Sequence, residues 1–526
     1  MRTIKNSEIN LIKEVTKELN ILVDKILLDQ SRRVRDKVDE NLSINIFNAS
    51  NGNREQSTSS LNGQFVYCQL LIDCLINMIS KSTDKNQLID LCRNYYKDNP
   101  TELTIVKEFE RDYIPDRALW WYTRESFLYR LLNKALRTQD IDFLFLFRFF
   151  IRDLEKQLKE IQSPLPIRVY RGQVISNDEL QALKNSIGQF ISMNSFLSTS
   201  VDRRSALSFL YSSTASSDLQ RILFEIDLDP NLSNIKPFAN ITSLSFFTDE
   251  QEVLVMLGSI FRLVNIEHKD RVWVVQLTLC SDDDNDLKPI YDYIKNEYGE
   301  GEQGSSLFSF GVLLFKMGHY DKAEKYYHRL LKELPNDHED LAACYHNLGM
   351  MKNHQGNYDE SLQWFNKALE IYNHTLKSDD PIIALAMCYH NIGNIYQEER
   401  KFQQAFEYHQ KSLMIRQKHL PQDHSDIGAS LHCIAGIYLC LNYPDQALEY
   451  YNKALKIYQK TLSSTHSDLA MLYYNLGLLY NGQNNFQQAL TNFQKASDIF
   501  NATLSPTHPF IAAVQQEIQR ISNRLR

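Results

Sequence analysis

The chain has 526 residues, too many for one core, and its 43% hydrophobic and 11% aromatic content with few glycines and prolines excludes a low-complexity polymer. Two or three packed domains are expected. A formal net charge of -8 excludes a general electrostatic attraction to nucleic acid or to an anionic membrane.

The polar start, Met1 to Glu8, lacks the apolar centre of a signal peptide, and no later run reaches the length of a membrane span. The eight cysteines are dispersed, which predicts buried thiols rather than disulfides or a metal centre. A soluble, reducing-compartment, cytoplasmic protein is the expectation. From Asn6 to about Lys37, apolar residues recur at helical spacing and predict one long helix. Residues 48–62 read as a polar loop. Helical patterning resumes at Gln64 and runs to about Ile161, broken near Asn99-Pro100 and Ile114-Pro115. Its last helix follows Asp140 and carries Phe143, Phe145, Phe147, Phe149 and Phe150.

After Pro164 and Pro166 the period changes to two. Segments 167–174, 189–195, 221–228, 252–256, 259–266 and 271–279 are rich in Val, Ile, Leu and Phe and short enough for strands. Helices followed by strands predict an α+β domain. An acidic stretch at Asp282 to Asp286, a short helix and the glycine-containing run 299–304 mark a linker. Beyond it the chain repeats: Tyr396, Tyr438 and Tyr480 recur every 42 residues, as do His424, His466 and His508. Five units are expected, starting near Ser306, Leu341, Leu385, Ala429 and Ala470. The expected division is therefore 1–95, a helical region of unassigned role; 96–281, the α+β domain; 282–304, the linker; and 305–526, the repeats.

Three short motifs in the strand region carry chemistry. They are Tyr170-Arg171-Gly172, then Ser198-Thr199-Ser200 after Phe196-Leu197, then Glu250-Gln251-Glu252 running into Val253-Leu254-Val255. An arginine in an apolar strand, a hydroxyl cluster at a strand end and carboxylates at i and i+2 suit a dinucleotide and a cationic sugar intermediate. The bland readings are a surface arginine, better filled by Arg168, and a solvated acidic turn.

The order of these motifs over roughly residues 100–280, with Trp120 to Glu125 before them and Gly258 to Arg262 after them, resembles the arginine-specific mono-ADP-ribosyltransferases of the Arg-Ser-Glu class. The resemblance implies a helical lobe beside two packed antiparallel sheets, with an NAD cleft between them. It implies that Glu252 bonds the ribose 2'-hydroxyl and stabilises the developing positive charge, and that Glu250 orients the acceptor guanidinium. Arg171 would hold the NAD phosphates, Gly172 would approach the nicotinamide amide, and Ser198, supported by Thr199 and Ser200, would position Glu252. NAD is then a co-substrate, and no metal is called for. Phe246 and Phe247, before the carboxylates, are either recognition side chains or core anchors. Phe209 and Tyr211 stack on nicotinamide or pack in the core.

The C-terminal units resemble the extended tetratricopeptide repeats of kinesin light chains, an α-solenoid. Residues one repeat apart cannot converge on one ion, so His338, His424, His466 and His508 read as capping or turn residues. The combined expectation is transfer of ADP-ribose from NAD to an exposed arginine of a protein substrate, with the repeats recruiting a protein or peptide ligand. An inactive scaffold and an NAD glycohydrolase are the rival readings.

Overall fold

The computed structural model describes residues 44–47, 61–79, 81–124, 126–212, 219–246, 251–281, 283–284, 287–288, 306–335, 338, 340–374, 379–503 and 508–525. The expected helix from Asn6, the polar loop over 48–60, Phe247, Glu250 and the linker run 299–304 lie outside the described residues. The chain divides into two compact units, the second taking up the chain at Leu307.

In the first unit, helices α1 (Leu61–Asn77), α2 (Ser82–Tyr95), α3 (Pro100–Asp112), α4 (Ala118–Thr123), α5 (Phe127–Thr138) and α6 (Ile141–Glu160) precede the main strands. The sequence breaks become caps. Asn99 accepts a hydrogen bond from the Glu102 amide at 3.2 Å, with Pro100 at the first helical position, where its missing N–H costs nothing. Asp140 caps α6 in the same way through the amides of Asp142 and Phe143. All five phenylalanines of α6 are buried, and a buried ion pair at 2.5 Å between Arg148 and Asp84 ties α6 to α2. The first unit also takes in α1, whose Asp73 pairs with Lys236.

The strands are β1 (Ile44–Phe47), β2 (Ile167–Ser176), β3 (Phe190–Met193), β4 (Leu197–Ser200), β5 (Leu219–Leu228), β6 (Phe238–Asn240), β7 (Glu252–Val255), β8 (Ile260–Lys269) and β9 (Val272–Leu279). They order as β1-β3-β8-β9-β5-β2-β4-β7-β6. Where two sheets were expected, the described strands form one nine-stranded sheet, made of a six-stranded group ending at β2 and a three-stranded group starting at β4. A single residue pair, Tyr170 with Ser200, links them. The pairing is not wholly antiparallel, because β5 and β9 run parallel from Ile222–Trp273 to Asp227–Thr278. Ile222, Leu223, Phe224, Val274 and Val275 are all buried there, the continuous apolar run that a strand covered on both faces needs. Two short helices complete the unit, α7 (Asn177–Lys184), opened by a Ser176–Glu179 capping box, and α8 (Arg203–Ser212).

The second unit is five helix pairs and a final helix. The pairs are α9 (Leu307–Lys316) with α10 (Tyr320–Glu333), α11 (Asp340–His354) with α12 (Tyr358–His374), α13 (Asp379–Glu398) with α14 (Phe402–His419), α15 (Ser425–Cys440) with α16 (Pro444–Thr461), and α17 (Ser467–Gly482) with α18 (Phe486–Thr503); α19 (Pro509–Leu525) follows. The recurrent histidines lie at the turns between pairs. The Nδ1 atoms of His338, His424, His466 and His508 each accept from the amide two residues on, at 3.1–3.2 Å. Inside the solenoid, rings of the second helix of a pair lie on glycines of the first. Tyr327 covers Gly311, Phe365 covers Gly349 and Phe493 covers Gly477, at distances that leave no room for a Cβ.

His346 on α11 is buried, with its Nδ1 3.0 Å from Cys388 Sγ and its Nε2 3.4 Å from Asn391 Nδ2. Burial pushes this imidazole down to about 4 from its ordinary value of 6.5, so the folded state holds it neutral. Its stabilising share is complete above pH 6.5 and is lost as pH falls towards about 4, because the unfolded chain binds the proton first. Denaturant unfolding of the full chain, followed by helical circular dichroism, is expected to lose up to about 3 kcal/mol from this group over that window. His346→Phe, the residue type that Phe308 supplies in the first pair, should remove this share of the acid-side loss while leaving that of the other buried imidazoles, His390, His409 and His432; an unchanged profile would remove His346 from the account.

Candidate active site

Arg171 lies in β2, Ser198 in β4 and Glu252 at the first position of β7, so the three motifs fall on three adjacent strands. All three residues are half-buried at the edge of an otherwise buried region, the setting for groups that must meet both a ligand and a fixed frame. Tyr170 pairs with Ser200, and Ser200 pairs with Glu252, which sets a row of three residues across the junction of the strand groups. Directly paired residues share a face, as do residues two apart on one strand. Ser200 is therefore the residue opposite Glu252, and Ser198 is its diagonal neighbour on the same face.

The Arg171 guanidinium is held from two sides. Its Nη1 donates to the Ser198 carbonyl at 2.9 Å and its Nε to Gln173 Oε1 at 3.1 Å. Its Nη2 has no partner among the described residues. The second motif is anchored separately: Thr199 Oγ1, buried, donates to the Val253 carbonyl at 2.7 Å, and Ser200 Oγ accepts from the Asp202 amide at 3.1 Å. Arg168, the rival to Arg171, is an exposed residue whose guanidinium makes two hydrogen bonds, at 2.6 and 2.7 Å, to Asp227.

Gly172 has a packing role that its sequence context hides. A Cβ on this residue would lie 2.3 Å from the Ala206 carbonyl and 2.8 Å from Leu210 Cγ, so the close approach of α8 to β2 demands glycine. Tyr211, at the end of the same helix, is exposed and donates its hydroxyl to the Asp270 carbonyl in the β8–β9 turn at 3.1 Å.

Sequence reasoning assigned no role to Tyr122, although it lies in the quoted Trp120 to Glu125 segment. Burial drives this phenol well above its ordinary value. The neighbouring Tyr129 adds to the rise, the hydrogen bond to Asn133 at 3.3 Å opposes it, and smaller effects come from Glu252, which raises it, and Arg171, which lowers it. Helix α4 thus supplies a buried, neutral phenol within electrostatic reach of both candidate site residues. Tyr122 also packs at a tilt against Phe196, ring centroids 5.0 Å apart, just before the serine motif. The signal in the sequence was the run of four consecutive aromatic or hydroxyl residues, Trp120 to Thr123.

The same helix fixes the loop that leads into the third motif. The Phe246 amide donates to Thr123 Oγ1 at 2.8 Å, and its ring meets Trp120 edge-on at 5.4 Å. Arg124, bidentate on Glu108 at 2.8 and 3.0 Å, lies over Trp120. Phe246 still presents 43% of its surface, so it anchors the loop and faces solvent at once.

With this geometry in place, comparison with known families is informative. Residues 92–285 match the model of the NAD:arginine ADP-ribosyltransferase family, and residues 302–374, 340–418 and 426–516 match that of the tetratricopeptide repeat. Residues 92–285 are thus an ADP-ribosyltransferase-family domain, and residues 302–516 carry tetratricopeptide repeats. ADP-ribosyl transfer from NAD is what the first domain implies, and protein interaction is what the second implies. Similar solved structures include a Podosopora anserina protein described as a kinesin light chain with nearly identical TPR-like repeats, 25% identical, covering 36% of this chain and 90% of that one at a TM-score of 0.31. They also include the Clostridium limosum C3 exoenzyme, 16% identical, covering 36% of this chain and 94% of that one at a TM-score of 0.25. No curated protein matches the chain. Among the described residues, no helix is long and apolar enough to cross a membrane.

The Gly172 contact yields a test that separates packing from ligand approach. Gly172→Ala forces α8 away from β2 and is expected to destabilise the first unit by about 1–3 kcal/mol, the usual range for overpacking a tight site. Urea unfolding of the full chain checks this, and a variant as stable as the wild type would place the requirement for glycine in the ligand cleft instead.

Proposed function

We propose that this protein is a cytoplasmic NAD-dependent protein-arginine mono-ADP-ribosyltransferase whose repeats recruit the protein substrate. The observation that carries the reading is that Arg171, Ser198 and Glu252 fall on the adjacent strands β2, β4 and β7, with Arg171 bonded to the Ser198 carbonyl across the one-pair junction of the two strand groups.

Each residue is suited to one task. Arg171, with Nε and Nη1 already committed to protein oxygens, offers Nη2 to a phosphate oxygen of NAD, where a planar guanidinium is preferred over a point charge. Glu252 accepts the 2'-hydroxyl of the nicotinamide ribose and stabilises the oxocarbenium-like state as the C–N bond to nicotinamide breaks. Ser198 and Ser200, diagonal and opposite to Glu252 on the same face, position it, with Thr199 pinning the strand pair. Gly172 keeps the backbone beside Arg171 free of a side chain. Glu250, outside the described residues, holds the incoming arginine, whose attack needs alignment that water does not. Nicotinamide leaves with the bonding electron pair, and the guanidinium nitrogen gives up a proton as the new bond to the ribose forms.

A site for an exposed arginine has little to select by. A second module on the same chain raises the local concentration of the right substrate, which is the part assigned to the solenoid.

The decisive experiment follows label from NAD onto protein, with arginine linkage read from its sensitivity to hydroxylamine. Glu252→Gln should lower both transfer and NAD hydrolysis at least about a hundredfold in kcat with NAD affinity nearly intact, since one preorganised charge contact is removed. Retention of more than about a tenth of the activity overturns the role of Glu252. In Glu250→Gln, hydrolysis should persist while arginine modification is lost. Parallel loss of both activities would assign Glu250 to NAD or to the fold, and would withdraw the main support for arginine as the acceptor.

A further inference from the structure

The third helix pair of the solenoid departs from the packing of its neighbours at two positions, and both departures meet at one buried point. Where the other pairs carry an aromatic ring, Tyr327, Phe365, Tyr451 or Phe493, α14 carries His409, fully buried with its ring over Gly393 at 2.8 Å from a Cβ position. The second departure lies between pairs. Asn391 Nδ2 meets His346 Nε2 at 3.4 Å, and Asn475 Nδ2 meets His432 Nε2 at 2.8 Å. At the matching place between α13 and α15, the residue facing His390 is Cys433 instead of asparagine.

These exchanges leave polar atoms without partners. The Nδ1 of His390 and both ring nitrogens of His409 are buried and have none among the described residues. For His346 the equivalent Nδ1 lies 3.0 Å from Cys388 Sγ. Ser430 stands in that place for His390, but its hydroxyl is taken by Arg416 Nη1 at 2.9 Å. Each such orphan has lost its hydration with no partner in exchange, which disfavours the fold unless something satisfies it. The two imidazole rings stand edge to face at 5.1 Å, and the ligand atoms of His390, His409 and Cys433 lie within 4.8 Å of one another.

We propose that His390, His409 and Cys433 form a zinc site that clasps three consecutive helices, α13, α14 and α15, in the middle of the solenoid. Two imidazole nitrogens and a thiolate are the borderline-soft donors that Zn2+ selects. Bonds of about 2.0–2.3 Å in tetrahedral geometry set ligand atoms about 3.3–3.8 Å apart, so the three need to close inward by only about 1 Å. Asn394 Oδ1, 3.7 Å from Cys433 Sγ, is a further donor beside the site, and water can complete the coordination. Burial keeps His409 neutral, its value lowered to about 4, which leaves a lone pair for the metal. Burial also raises Cys433 to about 12, so zinc must displace the thiol proton, and one proton is released per ion bound. The guanidinium of Arg416 nearby opposes a cation; the new thiolate and Asp426, 3.8 Å from Arg416, offset it.

The exclusion drawn from repeat spacing does not reach this cluster. The turn histidines are one repeat apart and cannot converge, whereas these three ligands come from neighbouring helices, two of them from within one pair.

The experiment uses the full chain, stripped with a chelator and titrated with Zn2+ and, separately, with Co2+. Expected are one ion per chain, a rise in the unfolding temperature on adding zinc, and a thiolate-to-cobalt charge-transfer band. The variants His409→Phe and Cys433→Asn restore the residue types used by the other pairs, so they should fold without metal. Each should weaken zinc binding by more than about tenfold and lose both the band and the thermal shift. Wild-type protein that gains neither zinc nor stability overturns the site, as does zinc binding that survives unchanged in both variants. The unfolding readout is independent of transferase activity, so failure here leaves the catalytic reading untouched.

Discussion

The hydrogen bond from Arg171 Nη1 to the Ser198 carbonyl, at 2.9 Å, is the contact on which the candidate site depends, because it spans the place where the two strand groups barely touch. Only Tyr170 and Ser200 pair there, so β2 and β4 diverge almost at once. A divergence of this kind leaves backbone groups and half-buried side chains facing a gap, which a continuous ladder would have closed. The side chain that bridges the two strands is therefore a strut between the strand groups, held at both Nη1 and Nε.

Helix α4 and the loop before β7 extend the same frame. Thr123 accepts the Phe246 amide, and Trp120 packs edge-on against the Phe246 ring, so residues approaching Glu252 in sequence are already fixed one element away. Tyr122, between those two contacts in the chain, faces inward to Phe196 and Asn133. Six residues of helix thus serve the loop on one side and the buried edge of the site on the other. Neither task is visible from helical periodicity, because a single turn and a half has no repeated pattern to read.

What the sequence revealed follows from how local each signal is. The five repeats were legible in number, though their starts near Leu385, Ala429 and Ala470 fell a few residues inside the helices that open at Asp379, Ser425 and Ser467, since most units repeat a small residue under a ring and contacts run mainly between neighbours. The strands β2, β5, β8 and β9 were legible from apolar runs of eight residues or more. The short strands β1 and β6 were not, because four and three residues pair only through tertiary context. The parallel contact of β5 with β9 also escaped, as register between distant segments has no local mark. At the site, the motifs put Arg171, Ser198 and Glu252 on three separate strand-like segments, whose adjacency only the structure gives, and the demand for Gly172 came from Ala206, 34 residues away and unreadable as a partner. The cluster of His390, His409 and Cys433 was hidden for a related reason: it is a departure from the repeat, and periodicity reports what recurs.

The contact between Gly172 and Ala206 also bears on how this site can change over time. Tyr170 is committed to the one pair joining the strand groups, Arg171 to two protein oxygens, and Gly172 to a helix that admits no side chain. Arg171 and Gly172 are thereby constrained by hydrogen bonds and by packing before any ligand is considered. Phe246, before β7, keeps an exposed face beside its contacts to Thr123 and Trp120. Change in this region over time is thus channelled away from β2 and towards that exposed ring.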